Sequence, residues 1–258
     1  MCSDPDSRPP LVPDAEAQAS GRHATLTAAD GAPLSVYLAA PAVASSIGII
    51  VLPDYHGLTP FYEALALRFA EVGIEALAVD YYGRSAPPPP RGPEFDHVAH
   101  SHQTTWAGLQ ADTVAAARFL RRERGIERVY TVGFCFGGRT SFLLGTLPQL
   151  DLAGVIGFYG WPVGAFANDS PAPADVTSQL TCPVLAIFGG ADAKIGPAEV
   201  ALFEAALAAS PVDHRVLSYE GAPHSFFDRA QREHAAAAAS AWAEVLAFLG
   251  APAPPQNG

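Results

Sequence analysis

A glycine-rich turn after an apolar run constrains this chain more than any other feature. Residues 133–138 read Gly-Phe-Cys-Phe-Gly-Gly, and they follow the run Val-Tyr-Thr-Val at 129–132. A buried strand that turns sharply and continues as a helix is typical of a nucleophile elbow, which holds one side chain above a sheet. Gly133 and Gly137 flank the apex, where a Cβ atom would crowd the turn. The pattern therefore predicts a strand-turn-helix unit with Cys135 at its apex.

Cysteine at this apex has two interpretations. A thiolate is a strong nucleophile, and the helix that begins behind Cys135 favours the ionised form of its thiol. The alternative is a small buried hydrophobe, which is the usual state of a free cysteine. Glycines on both sides of a merely structural cysteine would weaken the following helix for no gain. The sequence therefore favours a nucleophile at Cys135.

Two polar residues that follow later apolar runs complete the candidate site. Asp192 comes shortly after the run at 183–188, and His224 comes after the strand-like run at 214–219. Loops at the carboxyl ends of parallel strands carry the functional groups of open α/β sheets. A nucleophile needs a base and the base needs an orienting acid, in the chain order found here. We predict a triad of Cys135, Asp192 and His224, although Asp192 alone could form a turn or a helix cap and His224 alone could be a surface loop residue.

The same logic predicts an oxyanion hole built from backbone amides. One donor is the amide of Phe136, which follows the nucleophile at the helix amino terminus. The other comes from the loop after the apolar run at 47–52, where Tyr55 is the expected residue and His56 is the neighbouring alternative. Removal of one such donor typically lowers turnover by about 10²–10³.

Composition supports one large α/β domain with a well-filled core. The chain has 258 residues, of which 49% are hydrophobic and 16% are charged. The net charge of −11, without a run of basic residues, argues against a nucleic acid or an anionic membrane as partner. No stretch resembles a membrane span or a signal peptide. Three cysteines do not form a disulfide framework, so we expect a cytoplasmic protein.

Apolar runs that alternate with helical periodicities predict a doubly wound, mostly parallel sheet with helices on both faces in a single domain. We expect this domain to span residues 21–250, between a disordered tail at 1–20 and a flexible tail at 251–258. Two long segments, 86–103 and 160–180, interrupt the alternation and are candidate lids.

Some further side chains fit either function or packing. His97, His100 and His102 lie in the segment 86–103 and could bind a divalent metal. No cysteine or carboxylate set accompanies them, so a solvated loop or lid is favoured and no metal is predicted. Several aromatic residues follow strands at the same predicted edge and could line an apolar pocket: Tyr81, Tyr82, Tyr159, Trp161, Phe226 and Phe227.

Taken together, these motifs resemble the dienelactone hydrolases, also called carboxymethylenebutenolidases. The likeness covers about residues 22–250 and rests on the elbow, Asp192 after two glycines, Ala-Pro-His-Ser-Phe at 222–226, and Asp-Tyr-Tyr-Gly-Arg at 80–84. It implies an α/β-hydrolase fold and a cysteine-dependent triad that needs no cofactor. The implied reaction is hydrolysis of a small enol lactone or ester through a thioester acyl-enzyme; the oligomeric state, monomer or dimer, stays open.

The resemblance also implies roles for individual residues. Arg84 matches an arginine that binds the substrate carboxylate, and the two oxyanion donors named above match those of the family. Asp54 stands where the family has a glutamate that helps to deprotonate the thiol, and it is one methylene shorter. A second carboxylate-binding arginine is expected four residues after His224, where this chain has Asp228 with Arg229 next to it. An acid beside the pocket would repel an anionic substrate.

Two other classes of function remain open at this point. One is a redox-reactive thiol on a hydrolase scaffold, which needs an exposed cysteine of low pKa and a resolving partner; neither Cys2 nor Cys182 is obviously placed for that role. The other is a non-catalytic binding protein that keeps the fold. Three triad residues in the right order argue against a protein that has lost its activity.

Overall fold

The computed structural model describes residues 7–10, 18–92 and 94–251. Its strands are β1 (Ala19–Thr27), β2 (Pro33–Pro41), β3 (Ile47–Leu52), β4 (Glu75–Val79), β5 (Arg128–Phe134), β6 (Gly154–Phe158), β7 (Val184–Gly189) and β8 (His214–Tyr219). Its α-helices are α1 (Pro60–Glu71), α2 (His97–Ser101), α3 (Trp106–Arg124), α4 (Phe136–Leu144), α5 (Pro197–Ala208) and α6 (Ala235–Leu249). Short 3₁₀ helices lie at Pro148–Leu150 and Pro173–Gln179.

The strands form one sheet in the order β1-β2-β4-β3-β5-β6-β7-β8. The pairs β1·β2 and β2·β4 are antiparallel, whereas every pair from β4·β3 to β7·β8 is parallel. The predicted doubly wound, mostly parallel sheet of an α/β-hydrolase is confirmed. The central strands are continuous apolar runs because helices cover the sheet, so residues such as Val132 and Ile156 are fully buried.

The parallel pairing aligns the carboxyl ends of β3, β5, β6, β7 and β8 at one edge of the sheet. All loops that carry the predicted site residues leave from this edge. Among the helices within the described ranges, none combines the length and the apolar content that crossing a membrane requires.

The structure differs from the sequence-based expectations in two regions, the predicted amino-terminal tail and the segment 86–103. Strand β1 begins at Ala19, inside the range predicted as a tail, because the nine residues of β2 offer pairing partners along its whole length. Ser7 is buried as well, and its hydroxyl donates a hydrogen bond to the Asp228 carbonyl oxygen. Helix α2 forms within 86–103 because the Asp96 side chain caps it by accepting from the Ala99 amide at 2.9 Å. Residues 1–6 and 11–17 of the predicted amino-terminal tail and residues 252–258 of the predicted carboxyl-terminal tail lie outside the described residues.

Candidate active site

Cys135 occupies a strained turn between β5 and α4. Its backbone has φ of 55° and ψ of −110°, a region that a non-glycine residue adopts at a cost of about 1–3 kcal/mol. Two close approaches explain the flanking glycines: a Cβ atom on Gly133 would collide with the Gly137 carbonyl, and one on Gly137 with the Leu52 carbonyl. The Cys135 amide donates to the Phe158 carbonyl oxygen at 2.9 Å, which ties the turn to β6.

Asp192 and His224 meet at the carboxyl edge of the sheet. The Nδ1 atom of His224 lies 2.6 Å from Oδ2 of Asp192, and the other carboxylate oxygen accepts from the amides of Lys194 at 2.8 Å and Ile195 at 3.2 Å. Burial raises the pKa of Asp192, but these hydrogen bonds and the charge of the imidazole outweigh burial and hold the pKa below its usual value. The carboxylate is therefore ionised near neutral pH and fixes the orientation of the ring.

The other nitrogen of His224 has no such partner. The ring lies between Tyr159 and Trp161, with centroid separations of 4.9 and 5.1 Å. Its Nε2 atom is buried and makes no hydrogen bond to any described residue, so the structure contains no hydrogen bond between His224 and the Cys135 thiol. The acid and the base are in contact, while the thiol makes no hydrogen bond to the base.

Cys135 itself is only 3% exposed. Burial raises the pKa of its thiol, and the carboxylates of Asp54 and Asp228 raise it further. The nearby Arg229 side chain and the Phe136 amide act in the opposite direction but do not compensate. The thiol is therefore protonated in the unliganded protein, which differs from the sequence-based expectation that the amino terminus of α4 favours a thiolate.

A cavity of about 490 Å³ opens above the thiol. Its lining combines the nucleophile loop, α2 and the excursion at 160–180: Tyr55, Val98, Ser101, His102, Cys135, Phe136, Trp161, Ala165, Phe166, Ala167, Asn168 and Lys194. Both residues predicted to supply oxyanion donors are in this set. Phe136 is the first residue of α4, where an amide has no acceptor within the helix. The Tyr82 hydroxyl donates to the Tyr55 carbonyl oxygen and so orients the loop after β3, which carries the second predicted donor.

Behind the thiol lies a group of polar and charged residues, which we call the acid cluster: Asp54, His56, Tyr62, Asp228 and Arg229. Asp54, Tyr62 and Asp228 are buried, and His56 and Arg229 are partly buried. The carboxylate of Asp54 lies 2.9 Å from both the amide nitrogen and Nδ1 of His56, and 3.4 Å from Nη2 of Arg229. The Tyr62 hydroxyl donates to Asp228 at 3.1 Å and accepts from the Asp54 amide at 3.1 Å. Burial, and then the charge of Asp54, raises the pKa of Asp228. The cluster borders a second cavity of about 260 Å³.

The structure does not bring the predicted carboxylate-binding arginine to the catalytic cavity. Arg84 forms ion pairs with Asp112 at 2.7 Å and with Asp30 at 2.6 Å, and it is absent from the cavity lining. Arg229 lies over the Tyr55 ring with a separation of 5.6 Å, on the side of the acid cluster. The placement of Arg84 differs from the role that the resemblance implies, because two carboxylates already pair with its guanidinium group. Arg229, for which the resemblance gave no definite role, pairs with Asp54.

The three histidines of the segment 86–103 face different surroundings. His97 packs against the His56 ring at 5.2 Å, His100 stacks on Phe95 at 4.5 Å, and His102 lines the catalytic cavity. Within the part of the chain that the structure describes, no three histidine, cysteine or acidic side chains come together as metal ligands.

Sequence reasoning missed several residues that shape this site. Phe166 and Lys194 line the cavity from irregular segments that carry no motif. Arg139, one turn after the nucleophile, is only 1% exposed although α4 is otherwise apolar and small in composition. An arginine inside such a buried helix was a signal that could have been noticed, because arginine is almost never fully buried without partners.

Comparison with known proteins gives a consistent picture. The model of the dienelactone hydrolase family matches residues 34–252. A protein from Synechocystis sp., to which carboxymethylenebutenolidase activity is ascribed, is 32% identical over 219 residues, covering 81% of this chain and 88% of the relative. A Bradyrhizobium sp. protein, to which 2-oxo-3-(5-oxofuran-2-ylidene)propanoate lactonase activity is ascribed, is 28% identical over 219 residues, covering 83% and 87%.

A crystal structure from Klebsiella pneumoniae, ascribed to a dienelactone hydrolase, is also similar to this fold. It superposes with a TM-score of 0.80 at 25% identity, and the match covers 90% of this chain and 99% of that one. The family match, the eight-stranded sheet and the site at its carboxyl edge agree with one another. The chain belongs to the dienelactone hydrolase family and is a hydrolase of ester or lactone bonds.

Proposed function

We propose that this protein hydrolyses small esters or lactones with Cys135 as nucleophile, His224 as base and Asp192 as the orienting acid. The observation that carries the proposal is the 2.6 Å contact between Asp192 and His224, whose ring packs against Trp161, a residue that lines the same cavity as Cys135. A base with its second nitrogen free of other partners can accept the thiol proton once the sulfur turns toward it. No cofactor takes part in this proposal.

The proposed reaction begins with transfer of the Cys135 proton to Nε2 of His224. The sulfur then attacks the carbonyl carbon, and the amides of Phe136 and Tyr55 stabilise the negative oxygen of the tetrahedral intermediate. The protonated imidazole gives its proton to the leaving oxygen, which leaves a thioester on Cys135. For a lactone the leaving alcohol stays attached to the acyl group. His224 next removes a proton from water, and the water oxygen attacks the thioester carbonyl. The C–S bond then breaks and the proton on His224 returns to the sulfur, which releases the acid and restores the thiol.

We propose that Asp54 keeps the Cys135 thiol protonated in the resting enzyme and does not act as the base that removes its proton. Its carboxylate already contacts His56 and Arg229, and its charge opposes ionisation of the thiol. The thiol therefore stays protonated until a substrate displaces it toward His224. Arg84 is paired with Asp30 and Asp112, and these ion pairs support the loop after β4. We therefore propose that the residues lining the cavity, and not Arg84, recognise the substrate.

The cavity favours substrates with an apolar or flat acyl group. Trp161 and Phe166 form an aromatic wall, and no arginine is among the described lining residues. The described lining contains one lysine, Lys194, whose ammonium group lies 5.8 Å above the Trp161 ring. We propose neutral short-chain esters and lactones as the preferred substrates. We also propose that the enzyme acts in the cytoplasm, where reducing conditions keep the thiol from oxidation.

A redox-sensing role fits these surroundings poorly. Sensor cysteines have a low pKa and are exposed, whereas burial and two carboxylates raise the pKa of Cys135. Cys182 is buried too, and burial raises the pKa of its thiol to about 12. Neither thiol has the properties of a peroxide-reactive group.

The proposal is tested with two matched cysteine variants. We expect Cys135→Ala to lose esterase turnover by at least about 10³-fold, because removal of a triad nucleophile leaves only binding and the oxyanion hole. Cys182→Ala, which removes an equally buried thiol away from the cavity, should keep turnover within a few-fold of the parent. Circular dichroism would establish that both variants are folded. Near-parental turnover of 4-nitrophenyl acetate by folded Cys135→Ala would refute the assignment.

A further inference from the structure

Arg139 is a buried cation that no catalytic role explains. It lies four residues after Cys135 in α4, is 1% exposed and is absent from the cavity lining. Within the described ranges no carboxylate lies within ion-pair distance of it. Burial lowers its pKa to about 10 although the charge of the more distant Asp175 acts in the opposite direction, and the guanidinium stays charged at neutral pH. A buried charge without a counter-ion in contact persists only where other groups satisfy it.

Those groups are backbone carbonyls of a single irregular segment, residues 161–171, which we call the wall segment. Nη1 donates to the Trp161 carbonyl at 3.0 Å, and Nη2 donates to the carbonyls of Gly164 at 2.9 Å and Pro171 at 2.8 Å. Longer contacts of 3.4 Å reach the carbonyl and the hydroxyl of Ser170. The guanidinium also lies 4.8 Å from the ring of Phe166, in the middle of the segment.

The wall segment contains no strand or helix to hold it in place. Its carbonyls therefore lack ladder partners, and a fork of five N–H groups on one side chain can satisfy several of them at once. Besides Arg139, the segment is anchored by the Trp106 amide, which donates to the Asn168 carbonyl at 2.9 Å, and by the Ala174 amide, which donates to the Pro162 carbonyl at 2.9 Å. Arg139 is the anchor with the largest number of contacts.

The same segment forms one side of the catalytic cavity. Five of its residues line that space: Trp161, Ala165, Phe166, Ala167 and Asn168. Trp161 in addition packs against the ring of His224. A single side chain of the nucleophile helix thus connects the elbow to the wall that an acyl group would touch.

We propose that Arg139 is a positioning residue that sets the acyl specificity of this enzyme by fixing the wall segment at a defined distance from Cys135. This inference rests on the proposed ester hydrolysis at Cys135, and Arg139 itself does not touch the substrate. Lysine cannot replace it fully, because an ammonium group cannot reach carbonyls spread over eleven residues, 161–171, as a planar fork does. Loss of the fork frees the wall segment while the triad stays assembled.

The test compares Arg139→Lys and Arg139→Met with the parent on 4-nitrophenyl acetate, hexanoate and benzoate. We expect kcat/KM for acetate to fall no more than about threefold in Arg139→Lys, whereas KM for hexanoate and benzoate changes by at least about tenfold, because the bulky acyl groups depend on the wall. Arg139→Met should show the same pattern more strongly. Arg121→Met removes another arginine that donates to a carbonyl, that of Asp151 at 2.5 Å, and should leave all three esters unchanged.

A second measurement keeps the proposal testable if Arg139→Met does not fold or if the parent hydrolyses none of these esters. Chymotrypsin cleaves after aromatic residues that are not followed by proline, so we expect faster cleavage of the Phe166–Ala167 bond in folded Arg139→Lys at an unchanged melting temperature. Equal loss of kcat for all three esters with unchanged KM, or unchanged cleavage after Phe166, would overturn the positioning role. Failure of Cys135→Ala to lose activity would instead overturn the proposed function, so the two outcomes are distinguishable.

Discussion

The two sides of Cys135 act on its thiol in opposite ways. On one side, Asp192 contacts His224, and the second ring nitrogen of His224 makes no hydrogen bond to a described residue, so it is available for the proposed role as base. On the other side, Asp54 and Asp228 are buried carboxylates whose charge raises the pKa of the thiol. Under the mechanism we propose, the reactive form of the enzyme is therefore not its resting form. Such an arrangement protects a nucleophilic sulfur from oxidation and alkylation when no substrate is bound.

The largest expected effect comes from disrupting the side that holds the base. We predict that Asp192→Asn lowers kcat for 4-nitrophenyl acetate by about 10³–10⁴-fold, because an amide no longer selects the correct tautomer of His224. Steady-state kinetics of the folded variant measure this, with Asp169→Asn, an exposed acid in the wall segment, as the matched control. A loss of less than tenfold would show that His224 does not depend on Asp192.

A smaller effect of opposite sign is expected from the acid cluster. Asp54→Asn removes the carboxylate charge that raises the pKa of the Cys135 thiol most, and it removes the acidic partner of Arg229 at 3.4 Å, so the pKa of the thiol should fall. We expect the rate of iodoacetamide alkylation at pH 8 to rise by about tenfold, which corresponds to about one pKa unit. Asp112→Asn, which breaks an ion pair of Arg84 outside the site, is the control. An unchanged alkylation rate in Asp54→Asn would contradict the role assigned to the cluster.

The smallest effect concerns stability and pH. The pKa of Asp192 is lower in the folded protein than in the unfolded chain, so its ionised form stabilises the fold above the unfolded pKa of about 3.9. This stabilisation disappears as the pH falls through the lower, folded pKa. We expect Asp192→Asn to be less stable than the parent by about 1–2 kcal/mol at neutral pH, since hydrogen bonds to charged groups contribute that much. Urea titrations should show the difference closing in acid; a difference that is constant down to the acid range would refute the linkage.

The sequence sufficed to predict the parts of the site that depend on local structure. Each of Cys135, Asp192 and His224 follows its own strand, and parallel strands bring their carboxyl ends to one edge. The elbow is visible because a close approach between backbones demands glycine at Gly133 and Gly137. Fold class and site location both follow from such short-range patterns.

The placement of Arg84 and the protonation state of Cys135 depend instead on side chains that are distant from them in the sequence. Arg84 follows β4 as the motif requires, but Asp30 and Asp112 engage it before any substrate does. The protonation state of Cys135 depends on Asp54 and Asp228, which come from different loops and are brought together only by the fold. No periodicity or spacing reports such contacts, so the sequence alone suggested a thiolate.

The most direct test of this account is to identify the acylated residue. A rapidly quenched mixture of the protein with a slowly deacylating ester, such as 4-nitrophenyl pivalate, would be analysed by intact-protein mass spectrometry and by peptide mapping. We predict one acyl group per chain, on the peptide that contains Cys135 and absent from Cys135→Ala. Turnover of the ester with the acyl group on another residue, or with no acyl-enzyme while Cys135→Ala stays active, would contradict the account.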